Sequence, residues 1–342
     1  MPPNKILQKR GKESEITARQ NIITKLGINM IKTVEVVSYN PLWPKMYEEE
    51  ALLIKQALGT NCIEVHHIGS TAVPGLSAKP IIDIIPVVLN ISEVDKATKS
   101  MENLGYEAKG EYGIPFRRYF QKSALARTHN VHIFEKNNAE IERHIFFRDW
   151  MRTHTDDRDA YAKLKITLAE KFPNDIDSYC LGKDAFIASI DTKTGFNKLR
   201  IVKALTDREW EAARHFRQKF FFDKVPVLDP YTWTFNHKDH VHFILYQGTY
   251  IIGYAHIQLW DDERIALRII VIEENHRNKG FGSDFLKLIE KWLKLQNYRQ
   301  LHIQSSKDAY QFYAHHHYSH MPFNDPDGYE SDPRDIEIGK TL

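Results

Sequence analysis

One stretch, RIALRIIVIEENHRNKGFGSDFLKLIEKWLK from Arg264 to Lys294, constrains the fold more than any other. An apolar run ends at Ile272, a turn carries glycines at 280 and 282, and Phe285, Leu286, Ile289 and Leu293 then keep helical spacing. A strand that turns this tightly into a helix aims unpaired N–H groups and the positive end of the helix dipole at one point, where phosphate binds. Glycine lets the backbone come close to such a ligand, and Arg277 and Lys279 add charge.

The surrounding pattern extends this unit. VHFILY, TYIIGYAHIQLW and RIALRIIVI are joined by Gln247-Gly248 and Asp261-Asp262, which predicts an antiparallel meander. A helix is expected before it, from Asp207 to Phe221. After the cradle come a strand (Gln300 to Ser305), a short helix (Asp308 to His316) and a last strand pair. The polar segment DTKTGFNK, Asp191 to Lys198, separates this half from an earlier one. A chain of 342 residues holds two ordinary domains. The expected division is a basic extension over 1–32, one domain over 33–192 and a second over 198–342.

Arg277, Gly280 and Gly282 fit the pattern [RQ]xxGx[GA], and Ala309, Phe312 and Tyr313 fit AxxFYxxxGF, with His317 and Tyr318 departing from its last two places. With both motifs in order, the C-terminal half resembles the GNAT N-acetyltransferase superfamily. The resemblance implies acetyl-CoA as cofactor, with the N–H groups of Arg277, Asn278, Lys279, Gly280, Phe281 and Gly282 on the pyrophosphate. It implies that the backbone of Ile270, Val271 and Ile272 holds the pantetheine like an added strand. It also implies Tyr313 as the general acid that reprotonates the departing thiolate, for which a phenol of pKa about 10 is suited. His256, Glu273 and Glu274 are the candidate general bases for a small-molecule amine acceptor. The acidic tail NDPDGYESDPRDIEIGK reads as a solvated loop or as a lip that attracts a cationic amine.

In the N-terminal half, VEVVSY reads as a strand, Pro41 to Leu58 as a helix and Cys62 to Gly69 as a strand ending in Gly69-Ser70. PIIDIIPVV, with Asp83 inside a nearly continuous apolar run, reads as a strand of a sheet covered on both faces. A helix is expected at Glu93 to Leu104, strands at RRYFQK and THNVHIFEK, then helices at Glu140 to Met151, Asp157 to Phe172 and Asp177 to Ile190. A Gly-Ser turn beside a strand carboxylate suits a nucleotide with a divalent metal on Asp83, and Lys79 adds a positive contact. Arg117, Arg118, His67, His129 and His132 are further polar candidates. Asp83 with two histidines is a ligand set for a transition metal, the same groups make an anion pocket, and a structural network is the third reading.

VHHIGSTAVPGLSAKPIIDI, GYEAKGEYGIPFRRYF, RTHNVHIFE and ERHIFFRDWMRTH together resemble the GrpB family over about Val34 to Ile190. That resemblance implies a nucleotidyltransferase-like mixed sheet with helices. Nucleotidyltransferases carry a carboxylate pair on the strand, and here Ile85 takes the second place. The fold class expected is therefore α+β or α/β in two domains, nucleotidyltransferase-like and then GNAT. Two rival functions are a nucleotidyltransferase with an accessory GNAT domain and a non-catalytic acyl-CoA and nucleotide-binding protein.

A net charge of +2 gives no strong nucleic-acid signal. No run approaches the roughly 18 apolar residues of a membrane helix, so no membrane partner is expected. Two cysteines suit a reducing cytoplasm. A homo-oligomer is a further expectation.

Overall fold

The computed structural model describes residues 33–122, 127–223, 227–260, 262–328 and 333–342. The basic extension, Asp261 of the expected turn, and Glu330 and Asp332 of the acidic tail lie outside the described residues.

The N-terminal half is a mixed five-stranded sheet of order β1-β2-β5-β4-β3: β1 Cys62–Ile68, β2 Ile82–Val88, β3 Tyr106–Ala108, β4 Arg117–Lys122 and β5 His129–Glu135. Helices α1 Trp43–Leu58, α2 Ser92–Lys96 and α3 Thr98–Asn103 precede or interrupt the strands. Helices α4 Ala139–Thr153, α5 Thr155–Lys171, α6 Ile176–Leu181 and α7 Asp184–Lys193 follow them. α1 begins with Pro44 in its first turn, where a missing N–H costs nothing. Its apolar side buries Trp43, Ile54 and Leu58 against Ile82, Ile84 and Val131. The opposite face of β2 packs Ile85 and Val87 with Ile68 and Phe134, so β2 is covered on both sides. The VEVVSY segment forms only an isolated bridge, Val37 to Ala78.

The C-terminal half is a seven-stranded sheet of order β11-β12-β10-β9-β8-β7-β6. Its strands are β6 Leu199–Lys203, β7 His240–Gln247, β8 Tyr250–Leu259, β9 Arg264–Ile272, β10 Gln300–Ser305, β11 Ser319–His320 and β12 Ile336–Thr341. Helix α8 Asp207–Arg217 opens with a capping box, Thr206 and Glu209 each bonding the other's backbone. It covers one face through Phe216, Tyr254 and Val271. Helices α9 Phe281–Leu295 and α10 Lys307–His315 cover the other, where Phe285, Ile289 and Trp292 meet Phe243, Ala255 and Leu267.

The meander appears as expected, and β6 is an addition to it. Leu199–Lys203 lies directly after the polar segment and pairs antiparallel with β7. Two of the expected helices are each a pair of short ones: α2 with α3, and α6 with α7.

The halves interlock. Phe116, from the loop before β4, is buried in the C-terminal core. Glu111 of the same loop accepts hydrogen bonds from the Trp292 indole at 2.9 Å and from Lys203 at 3.0 Å. Lys291 pairs with Glu135 at 2.7 Å.

Candidate functional site

β9 pairs with β8 along its length but with β10 only at Arg264, Ile265 and Ala266. Beyond Ala266 the two parallel strands separate, leaving the β10-facing edge of Leu267 to Ile272 without a strand partner. Arg268 is the extra residue of a bulge, since His256 pairs Ile269 and Ile257 pairs Leu267. Ile270 and the N–H of Ile272 therefore present an open edge, to which an extended ligand adds like a strand, whereas Val271 turns its carbonyl toward Gly253 of β8 and does not belong to that edge.

This edge leads into the turn. Asn278 and Gly280 have positive φ, 59° and 86°, and Gly280 caps α9. Asp284 N is bonded back to Gly280 O at 3.1 Å, so the N–H groups of Phe281, Gly282 and Ser283 precede the helical ladder. A Cβ on Gly280 would meet nothing within 4 Å, whereas one on Gly282 would touch Phe312 and Ile272 at ordinary distances. Open space, orphan N–H groups and a dipole end fit a pyrophosphate. The two basic side chains brace the turn. Arg277 Nε donates to Ile272 O at 2.9 Å, with its guanidinium over Phe220, and Lys279 donates to Asn275 O at 2.7 Å.

Tyr313 on α10 is 6% exposed, and burial raises its pKa above the usual phenol value. Its ring packs edge-on to Phe312 and Tyr318, and its hydroxyl bonds to no described residue. His256 is 4% exposed with both nitrogens engaged. Nδ1 faces Arg217 Nη1 at 3.2 Å and Nε2 faces His240 Nδ1 at 2.8 Å. Glu273 is held by Lys219 at 2.6 Å; burial opposes its ionisation, but that ammonium outweighs it and lowers the pKa.

In the N-terminal half, the Gly69-Ser70 turn sits on Asp83. Gly69 has φ 69°, and a Cβ there would lie 2.6 Å from Asp83 Oδ2, so the turn needs glycine. Asn130 donates to Asp83 Oδ1 at 2.8 Å, and His132 Nε2 lies 3.7 Å from the same oxygen. Arg117 Nη1 donates to His132 Nδ1 at 3.1 Å, which leaves the imidazole proton on Nε2, toward Asp83. Burial opposes the Asp83 charge, but His132, Asn130 and Lys79 together hold its pKa below the usual carboxylate value.

The sequence does not single out Lys165 of α5, because a lysine in a helix as rich in charged residues as TDDRDAYAKLKITLAEK reads as solvated. It is 2% exposed. Its amine donates to Ser70 Oγ at 2.8 Å and to Ser77 O, and it has no ion pair among the described residues. Burial, reinforced by Lys183, brings its pKa down to about 7. Lys79 is half-buried with its amine over the Tyr179 ring, and burial lowers its pKa too.

Three candidates lie elsewhere. Neighbours on a strand point to opposite faces, so Arg117 turns inward while Arg118 binds Asp95 at 2.6 and 2.8 Å. His129, three residues from His132, lies on the face covered by α1, and its Nε2 is buried without a partner. His67 pairs in register with Ile84 rather than Asp83, stacks on Tyr47 at 4.6 Å and bonds Thr71 at 3.0 Å. The Asp-and-two-His metal set therefore does not assemble. No group of three or more His, Cys, Asp or Glu among the described residues is placed to hold a metal. Beside His132 lies His144, whose ring is 6.2 Å from that of His132 and donates through Nδ1 to Glu140 O.

The fold and its two sites define a class: a GNAT-type sheet joined to a mixed-sheet domain in which a buried lysine, Lys165, reaches Ser70 on the turn that sits on Asp83. Residues 33–193 match the GrpB protein family and residues 203–318 match the acetyltransferase (GNAT) family. The UPF0157 protein YqkA of Bacillus subtilis is 43% identical over 160 residues, 47% of this chain and 47% of that protein. The match thus spans about half of that relative's length. The glutamate-rich protein GrpB of Alkalihalophilus pseudofirmus is 31% identical over 48% of this chain and 97% of its own length. The crystal structure of conserved protein GrpB from Enterococcus faecalis is 45% identical over 47% of this chain and 96% of that one, with a TM-score of 0.45. The chain belongs to the GrpB family, and its C-terminal half carries a GNAT acetyltransferase domain. No helix among the described residues is long and apolar enough to cross a membrane.

Proposed function

We propose that the chain is an acetyl-CoA-dependent N-acetyltransferase acting on a small amine. Residues 33–192 and 198–342 act as its two units, and the GrpB half binds a nucleotide or another phosphorylated ligand. The observation that carries the reading is the open β9 edge running straight into the Gly280 cradle. Acetyl-CoA supplies an activated acyl thioester. Ile270 and the Ile272 N–H hold its pantetheine through backbone hydrogen bonds, and the N–H groups from Asn278 to Gly282 hold its pyrophosphate. With the pyrophosphate held at the Gly280 turn, the acetyl end would lie toward the Arg268 bulge.

Tyr313 gives its proton to the leaving thiolate. Its uncommitted hydroxyl and apolar surroundings keep it protonated until that charge develops. His256 and Glu273 are both committed to other partners, so neither serves as the base in this reading; the acceptor loses its proton to water. In the GrpB half, Lys165 and Ser70 meet beside the Gly69 turn as an anion site, and Lys79 adds positive charge toward Asp83. A two-metal nucleotidyl transfer needs a second carboxylate, and its place holds the fully buried Ile85.

The test is thiol release from acetyl-CoA by the full-length protein across a panel of small amines, with calorimetric titration of acetyl-CoA. Amine-dependent release supports the reading. Release of pyrophosphate from a nucleoside triphosphate, without thiol release, overturns it.

A further inference from the structure

On the α8 side of the sheet lies a cleft of about 560 Å³, lined by Trp233, Asp239, His240, Gln258, Trp260 and Asp327 among others. It opens at the Arg264 end of β9, so it lies beyond the bulge as seen from the Gly280 cradle. Resting on the acetyltransferase reading, we propose that this cleft is the acceptor site and that it receives an amine-bearing polyol of the amino-sugar type.

Arg217 is 1% exposed. Its guanidinium grips Asp229 with two hydrogen bonds and donates to His256 Nδ1. Arginine is always a donor, so His256 Nδ1 carries no proton and its Nε2 does. That N–H donates to His240 Nδ1, which places the His240 proton on its own Nε2. Burial and the neighbouring His237 bring the His240 pKa down to about 4, so the ring is neutral near pH 7. Nε2 bonds to no described residue. The chain of three side chains thus fixes an N–H donor in the cleft wall.

Such a donor accepts no proton from an ammonium; it calls for an oxygen lone pair. Trp260, in the same wall, carries an indole N–H that is buried without a partner. The opposing chemistry is acidic. Among the described lining residues, Asp239, Asp262 and Asp327 stand against one cation, Arg264, which pairs with Asp262 at 2.6 Å, while the exposed Lys238 lies 3.9 Å from Asp239. Asp327 accepts from Gln258, leaving oxygen lone pairs for an ammonium or a hydroxyl. A free carboxylate on the ligand is repelled here. Trp233 is 46% exposed and offers an apolar plane. An amine that also carries hydroxyl oxygens and a C–H face satisfies all of these groups. An alkyl polyamine leaves the N–H donor unpaired, a ligand carboxylate meets the aspartates, and a small amino amide such as glycinamide supplies one carbonyl oxygen but no C–H face for Trp233 and no further hydroxyls.

The test is calorimetric titration of the full-length protein, without acetyl-CoA, using glucosamine, 2-deoxystreptamine, spermidine and glycinamide. Glucosamine and 2-deoxystreptamine are expected to bind at least about tenfold tighter than the other two. Trp233→Ala, by removing the apolar plane, and Asp239→Asn, by removing a charge-assisted contact, should each weaken them by about tenfold. Equal or tighter binding of spermidine or glycinamide overturns the proposal, as does no binding by any of the four. Acetyl-CoA is titrated separately on the same sample. Failure there overturns the acetyltransferase reading, while the amine titration still decides the chemistry of the cleft.

Discussion

Trp292 and Glu111 meet across the two halves, the indole Nε1 donating to a carboxylate oxygen at 2.9 Å. Trp292 lies on α9, the helix whose first turn is the phosphate cradle, and Glu111 lies on the loop that also carries Phe116 into the C-terminal core. Glu111 further accepts from Lys203 and from the Phe116 backbone N–H. Arg117, a few residues on, donates to the carbonyls of Glu111 and Tyr112 and to His132 beside Asp83. The helix that bears one candidate site is thus joined to the loop that braces the other.

Removing this contact leaves a buried donor unmet. Glu111→Ala should destabilise the protein by about 1–3 kcal/mol. A double-mutant cycle with Trp292→Phe should return a coupling of about 0.5–3 kcal/mol, read from urea unfolding of the full chain. Additive single effects would place no energy in this pair.

Tyr313→Phe keeps the ring and its contacts with Phe312 and Tyr318 and removes only the hydroxyl. It should lower kcat by about 10²–10⁴-fold, with acetyl-CoA affinity unchanged by calorimetry. Turnover near the wild-type value would leave Tyr313 as a packing residue.

Gly280 has φ 86° and open space where a side chain would project. Gly280→Val should lose the stabilisation by acetyl-CoA, about 2.7 kcal/mol at a hundredfold excess over Kd in the wild type. The variant is strained even without ligand, because a β-branched residue disfavours that backbone region. The readout is therefore the difference in Tm with and without acetyl-CoA. A shift in the variant equal to the wild type's would remove the pyrophosphate from this turn.

Local periodicity made most of the fold legible. The meander, both sheet-ending turns and the α9 face follow from residues that set their own structure, such as Gly280 and the Phe285–Ile289–Leu293 stripe. Strand parity was equally available: Arg117 and Arg118, or His129 and His132, sit at odd separations and must part. Grouping them as one ligand set ignored that alternation. Lys165 and Ser70 are different. They are 95 positions apart, and nothing near Lys165 distinguishes it from the exposed lysines of its helix. Glu111 and Trp292, 181 positions apart, likewise meet only because two sheets pack. Strand β6 escaped because five residues beside a polar segment carry little period-two signal.

Lys165 offers the most direct test of the anion site. Its folded pKa is about 7, below that of an ordinary lysine, because burial disfavours the charge and Lys183 adds repulsion. Between pH 7 and the unfolded value the unfolded chain holds a proton that the folded chain has released. Stability contributed by this group therefore rises with pH across that window, by at most about 1.4 kcal/mol per pH unit, and its penalty is fully present below pH 7. Lys165→Met should remove this rising limb, so the variant gains relative to wild type at pH 6 and loses that advantage toward pH 9. Tripolyphosphate, by supplying the missing negative partner, should raise the Tm of the wild type at pH 6 more than at pH 9 and leave Lys165→Met unmoved. Equal Tm shifts in the two proteins would place the anion away from Lys165.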